Sequence, residues 1–160
     1  MPAAIDHARL PTLGHGFFWQ DLAVGQTFKT FRRTITEADL VGFIGVTGMA
    51  EAIFIDAAYE HGAIAGRPVP GALTYAIIEG FILQSMIQGT GLAMLELAQT
   101  IHAPVKVGDS VWATVAVTEI RPTSKANRAV VTSLIAVFNQ REEPVMTYTA
   151  KRLLAGRPAA

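Results

Sequence analysis

Residues 72–87 form an apolar run broken by a single charge, Glu79. A bilayer-spanning helix needs about 20 apolar residues, so this run is short for a membrane. A helix that is apolar almost all round belongs in a core. Gly71 opens the run, and Gly89 and Gly91 close it, which predicts a helix over residues 72–88. The chain after Gly91 supplies the cover. Residues 93–101, 110–120, 128–139 and 145–154 are strand-like, and turns rich in Pro, Gly, Asp and Ser separate them. A long apolar helix followed by hairpin-linked strands predicts an α+β architecture, with a curved antiparallel sheet of roughly five strands around the helix.

Within those strands, Val111, Ala113, Val115 and Val117 make an apolar face opposite Thr114 and Thr118. Residues 129–138 are apolar on both faces, as suits a central strand covered on both sides. Upstream, residues 26–35 alternate as a strand does, with Phe28 and Phe31 as anchors. Thr36 is placed to cap a helix, and Asp39 stands at capping-box spacing from it. The set Leu40, Val41, Phe43 and Ile44 carries that helix to the glycines at 45 and 48. Residues 53–60 are expected to form a second short helix with Asp56 near its start. Residues 62–70 form a Gly- and Pro-rich loop. The chain divides into an N-terminal arm (1–16) that packs loosely or on a neighbour, a single domain (17–154) and a frayed tail (155–160).

Hydrophobic residues make up 51% of the 160 residues and charged residues 16%, more apolar surface than one core of this size consumes. An oligomer, a homodimer or larger, is therefore expected. Lys and Arg together number 13 and so do Asp and Glu, with no basic stripe, which argues against nucleic acid as a partner. With 0 Cys, disulfides and thiolate chemistry are excluded. The start of the chain lacks the basic and apolar regions of a signal peptide, and a cytoplasmic, non-membrane protein is expected. No H-x-x-x-H or H-E-x-x-H occurs, so no metal is expected. No Walker or dinucleotide glycine motif occurs either, and no cofactor is expected.

The stretch T-G-M-A-E-A-I-F-I-D (47–56), the G-R-P turn at 66–68, Gly71 and Leu73 resemble the active-site segment of the MaoC-like dehydratases, hydratases of acyl thioesters on the hotdog fold. F-F-W-Q-D-L-A-V-G (17–25) and P-V-K-V-G-D-S (104–110) are similar to that family's lead-in and strand entry. The resemblance covers residues 17–154. It implies a hotdog fold and a ligand that is an acyl thioester of CoA or of an acyl-carrier protein. It also implies catalysis by a carboxylate and an imidazole that hold a water and move its proton. The thioester oxygen would be held by backbone N–H groups at a helix N-terminus, here Gly71 and Ala72.

At the two positions that carry the family's chemistry this chain departs from it. The catalytic aspartate falls on Met49 and the histidine on Phe54, and neither side chain exchanges a proton. Glu51 and Ala52 stand for the family's asparagine and proline, and Pro70 for the histidine before the helix glycine. Three side chains remain as catalytic candidates. Glu51 and His61 would serve if the segment slips in register; otherwise they are a loop residue and a helix-end residue. Glu79, mid-helix, would be a buried base, or else it pairs with an arginine or faces solvent at a dimer edge. Arg67 meets a CoA phosphate or braces its loop, and Asp56 matches the family at the substrate side. Three functions follow: a hydratase with altered catalysis, a non-catalytic acyl-thioester-binding subunit paired with an active paralogue, or a thioesterase using Glu79.

Overall fold

The computed structural model describes residues 10–158. Expectations for residues 1–9, His7 among them, and for residues 159–160 lie outside that range. The elements run β1 (Thr27–Lys29), β2 (Arg33–Thr34), α1 (Glu37–Thr47), α2 (Ala52–Ile55), α3 (Gly71–Ser85), β3 (Gly91–Ile101), β4 (Ser110–Pro122), β5 (Arg128–Phe138) and β6 (Pro144–Ala155). Every strand pairing is antiparallel, and the sheet order is β1-β4-β5-β6-β3, with β2 also on β4. The curved sheet and the single long helix are the expected hotdog arrangement.

The apolar pattern explains the packing. Val111, Ala113, Val115 and Val117 are all buried, so one face of β4 lies on the core. β5 occupies the middle of the sheet, between β4 and β6, where a strand apolar on both faces belongs. Against these, α3 buries Leu73, Ile77, Ile78 and Ile82, and Ile78 is fully enclosed with Ile135 and Tyr148. The rings of Tyr75 on α3 and Tyr148 on β6 meet edge to face, with centroids 5.2 Å apart.

Three local expectations need correction. Residues 26–35 do not form one strand. The Ala113 N–H donates to the hydroxyl of Thr30 instead of to a backbone carbonyl (2.9 Å), and the ladder opens into β1 and β2. Phe28 packs on the core as expected, but Phe31 is 86% exposed and anchors nothing. The second short helix spans only Ala52–Ile55, and Asp56 ends it instead of starting it, accepting from the Ala58 N–H at 2.9 Å. The chain is tied to the domain near both ends of the described range. The Gly16 and Phe17 N–H groups donate to the Gln88 and Met86 carbonyls at the end of α3 (2.7 and 2.8 Å). A Cβ on Gly16 would stand 2.6 Å from that backbone, so only glycine fits there. At the other end, Arg157 pairs with Asp21, and its N–H donates to Gln20 (3.1 Å).

Candidate active site

The segment that carries the family resemblance is set by two caps. Thr36 caps α1 by accepting from the Asp39 N–H (3.2 Å), and the Asp39 carboxylate accepts from the Thr36 N–H (2.8 Å), as its spacing predicts. The Thr36 backbone N–H, ahead of other contacts, holds the Asp39 carboxyl below the usual carboxylate range. Gly48 ends α1 in the left-handed region (φ 72°) and donates to the Ile44 carbonyl. The chain then reverses into residues 49–56.

Arg67 braces that reversal. Its guanidinium pairs with Glu37 on α1 (2.9 Å) and donates to the backbone carbonyl of Phe54 (3.2 Å). The loop to α3 is pinned in turn by the Val69 N–H on the Val105 carbonyl (2.9 Å) and by a bridge between Pro68 and Lys106. Gly71 is thereby set beside β3. A Cβ there would lie 2.5 Å from the Ile101 Cδ1, so the absent side chain allows the helix start to approach the strand. The Leu73 and Thr74 N–H groups fold back to the Pro70 carbonyl, whereas those of Gly71 and Ala72 meet no backbone acceptor among the described residues. Unpaired N–H groups and the positive end of the dipole at a helix start favour a ligand oxygen that carries negative charge.

A cavity of about 200 Å³ opens at this helix start. Phe54, Gly71, Thr74, Ile101, Val145 and Met146 are among the residues around it. Thr74 is the one residue of that lining with a polar side-chain group, and its hydroxyl is buried with no hydrogen-bond partner. Phe54, where the resemblance puts the histidine, does face the cavity; Met49 is 43% exposed and does not.

The remaining catalytic candidates are not brought together. Glu51 caps α2, accepting from the Ala52 N–H at 3.1 Å. His61 meets the Tyr59 ring edge to face at 5.7 Å. Glu79 lies further along α3, where its Oε1 accepts from the Tyr148 hydroxyl (2.7 Å) and from Arg152 (2.5 Å). Of the two structural alternatives, Glu79 takes the arginine partner. The lining of the cavity by Ile101, Val145 and Met146 escaped the sequence reading, because strands distant in sequence supply it. The one local signal was Gly71, a glycine opening a helix that must approach something closely.

Burial, and then the Glu79 charge, push the Tyr148 hydroxyl well above its usual range, and the same two causes in the same order raise Tyr75. The fold therefore favours the protonated phenols. Their contribution is complete below about pH 10, the unfolded tyrosine value, and is lost as the pH rises past it. For the buried Tyr148 hydroxyl, stability is expected to fall by about 1.4 kcal/mol per pH unit above that point. Denaturation of the wild type and Tyr148→Phe between pH 9 and 11 checks this: the variant should lose stability less steeply.

A family model described as "FAS1-like, dehydratase domain region" matches residues 22–148. Among characterised relatives, 3-hydroxybutyryl-CoA dehydratase of Methylorubrum extorquens is 27% identical over 111 residues, 69% of this chain and 70% of that protein. Among solved structures, the MaoC-like dehydratase from Rhodospirillum rubrum superposes with a TM-score of 0.78 at 29% identity, covering 90% of this chain and 100% of that one. The unliganded R-hydratase from Pseudomonas aeruginosa gives a TM-score of 0.75 at 28% identity, covering 89% and 88%. With the fold, the helix-start cavity and the family match in agreement, the chain belongs to the FAS1-like dehydratase domain family, the MaoC-like hotdog hydratases and dehydratases.

Proposed function

We propose that this chain binds an acyl thioester of CoA or of an acyl-carrier protein in the cavity at the start of α3, and that its hydration or dehydration of that ligand is lost or very weak. One observation carries the reading: an aromatic ring, Phe54, faces the cavity at the position where the resemblance puts the family's imidazole. The names of the relatives supply the ligand class. Gly71 and Ala72 hold the thioester oxygen through their N–H groups, the apolar walls take the acyl chain, and no carboxylate or imidazole lines the space to hold a water. Asp56 and Arg67 act one step back, as turn and brace. On this reading the chain is a binding subunit working beside an active paralogue.

Gly71→Ala tests the oxygen site. The added methyl clashes with the flexible end of Ile101, which also lines the cavity, and makes ordinary contact with Met146, so the Ile101 side chain gives way into the ligand's space. Titration with butyryl-CoA is expected to show at least tenfold weaker binding, with thermal stability changed by less than about 1 kcal/mol. Unchanged affinity would place the ligand elsewhere.

The same reading includes a homodimer. β3 is an edge strand exposed along its whole length, and it presents Leu92, Met94, Leu95, Leu97 and Ile101 to solvent. A long apolar edge of this kind is covered in a stable protein, and a second copy pairing on it is the simplest cover. Light scattering is expected to return twice the 17.1 kDa chain mass, and Leu95→Lys to lower it. A wild-type monomer at micromolar concentration contradicts this.

Hydrolysis by Glu79 is the weaker reading. Glu79 follows Gly71 by eight residues, about 12 Å along the helix axis, so one chain does not offer both groups to one carbonyl. Its Oε1 is also held by Arg152 and Tyr148. Release of free CoA from butyryl-CoA that vanishes in Glu79→Gln would reverse this ranking.

A further inference from the structure

Residues 49–66 stand apart from the domain they help to roof. None of them is buried, whereas Pro68, Val69 and Pro70 just beyond them all are. Among the described residues, their backbone N–H groups donate only within the segment or to Thr47 and Gly48, never to the sheet or to α3. Glycines in the left-handed region flank the segment, Gly48 at φ 72° and Gly66 at φ 87°. Such residues absorb the change of φ and ψ that a hinge needs. A void of about 110 Å³ lies under the loop, and every residue of its lining but Pro68 belongs to the segment. The segment still forms part of the ligand cavity. It supplies Ile53, Phe54 and Ile64, and the domain supplies the buried Val69, Val105, Val145 and Met146.

One side chain ties the segment down. Arg67, just past the second glycine, donates to the Phe54 carbonyl (3.2 Å) and pairs with Glu37 on α1 (2.9 Å). Its guanidinium thus bridges α1 and the segment. The Glu37 side chain is 52% exposed, and an ion pair so open to water holds weakly. A segment with no buried residue and one such tie opens at far less cost than the sheet does. We propose that residues 49–66 are a lid over the cavity at the start of α3, hinged at Gly48 and Gly66, and that Arg67 is its latch. Opening carries Ile53, Phe54 and Ile64 away and admits the acyl chain. The bound chain then packs on those three side chains and so favours the closed state. Arg67 is a positioning residue, since it touches the lid and α1 and does not line the cavity. The lid rests on the thioester reading for what enters the cavity.

Chymotrypsin reads the lid in the full-length protein. Phe54 and Tyr59 lie in it, and Phe31, 86% exposed between β1 and β2, serves as a reference outside it. Arg67→Gln is expected to speed cleavage at Phe54 and Tyr59 at least fivefold and to leave Phe31 unchanged. Saturating butyryl-CoA is expected to slow the same two cuts at least tenfold in the wild type, again sparing Phe31. Stopped-flow mixing with butyryl-CoA, with Tyr59→Trp as the reporter, is expected to show at least threefold faster association in Arg67→Gln; a brace with no gating role would leave association unchanged or slow it. Should Arg67→Gln fold poorly, Glu37→Gln loosens the latch from α1, with the same expected signs. Unchanged cleavage in a folded latch variant, association that fails to rise, or bound butyryl-CoA that gives no protection would each overturn the lid. Absence of butyryl-CoA binding by titration would overturn the thioester reading instead, and cleavage of Arg67→Gln would then decide the lid alone.

Discussion

Met49→Asp with Phe54→His is expected to raise crotonyl-CoA hydration by at least about 10²-fold over the wild type, because positioned acid–base groups contribute about 10²–10⁴-fold. The two changes are not equal. Phe54 already faces the cavity, so an imidazole there enters the ligand's space directly. Met49 is 43% exposed and does not line the cavity, so an aspartate costs little stability there. The stability loss of about 1–3 kcal/mol for placing a polar ring among apolar neighbours therefore rests on Phe54→His. Each single variant should stay near the wild-type rate, since a base without its partner leaves the water unheld. A double variant that binds butyryl-CoA yet stays inactive would show that the scaffold has drifted beyond this repair. Strong wild-type turnover would return Glu51 and His61 to consideration.

Glu79→Leu is expected to produce the largest stability loss of any single change on α3, about 3–5 kcal/mol, or roughly 6–20 °C in melting temperature. The reason is the partner left behind. Arg152 is 4% exposed, and without Glu79 its guanidinium is a buried, uncompensated charge. Tyr148 loses the acceptor of its hydroxyl at the same time. The double variant Glu79→Leu/Arg152→Met should recover much of the loss, because a buried ion pair replaced by apolar groups of similar volume is often neutral or stabilising. Urea denaturation of the two singles and the double gives the coupling. A single-variant loss below about 1 kcal/mol would mean that water reaches the pair and that its burial is not what holds the helix to β6.

The fold was legible wherever periodicity answered to a single face. The run at 72–87 had to become a core helix, and α3 fills that place; the alternation from Val111 to Val117 had to put one face on it, and does. The capping box of Thr36 and Asp39 was legible because both partners lie within one turn. What failed depended on contacts across the sheet. Thr30 breaks the first strand through a hydroxyl bond to Ala113, and nothing near Thr30 in sequence announces it. Glu79 finds Arg152 73 positions away, so the sequence left its role open between base and ion-pair partner. In the candidate site, the frame of Gly48, Arg67 and Gly71 could be placed from its glycines and its turn. The walls of Ile101, Val145 and Met146 could not, since two edge-to-centre strands supply them. Slippage that would have rescued Glu51 or His61 finds no support in the cavity lining, which contains neither.

On the proposed reading, the cavity at the start of α3 takes an acyl thioester but lacks the groups that would transform it. A crystal of the wild-type protein soaked with crotonyl-CoA tests both halves at once. The expected result is unreacted crotonyl thioester with its carbonyl oxygen on the Gly71 N–H and its acyl carbons against Phe54 and Met146. Density for the 3-hydroxybutyryl product in that cavity, or a cavity that stays free of thioester at saturating concentration, would contradict it.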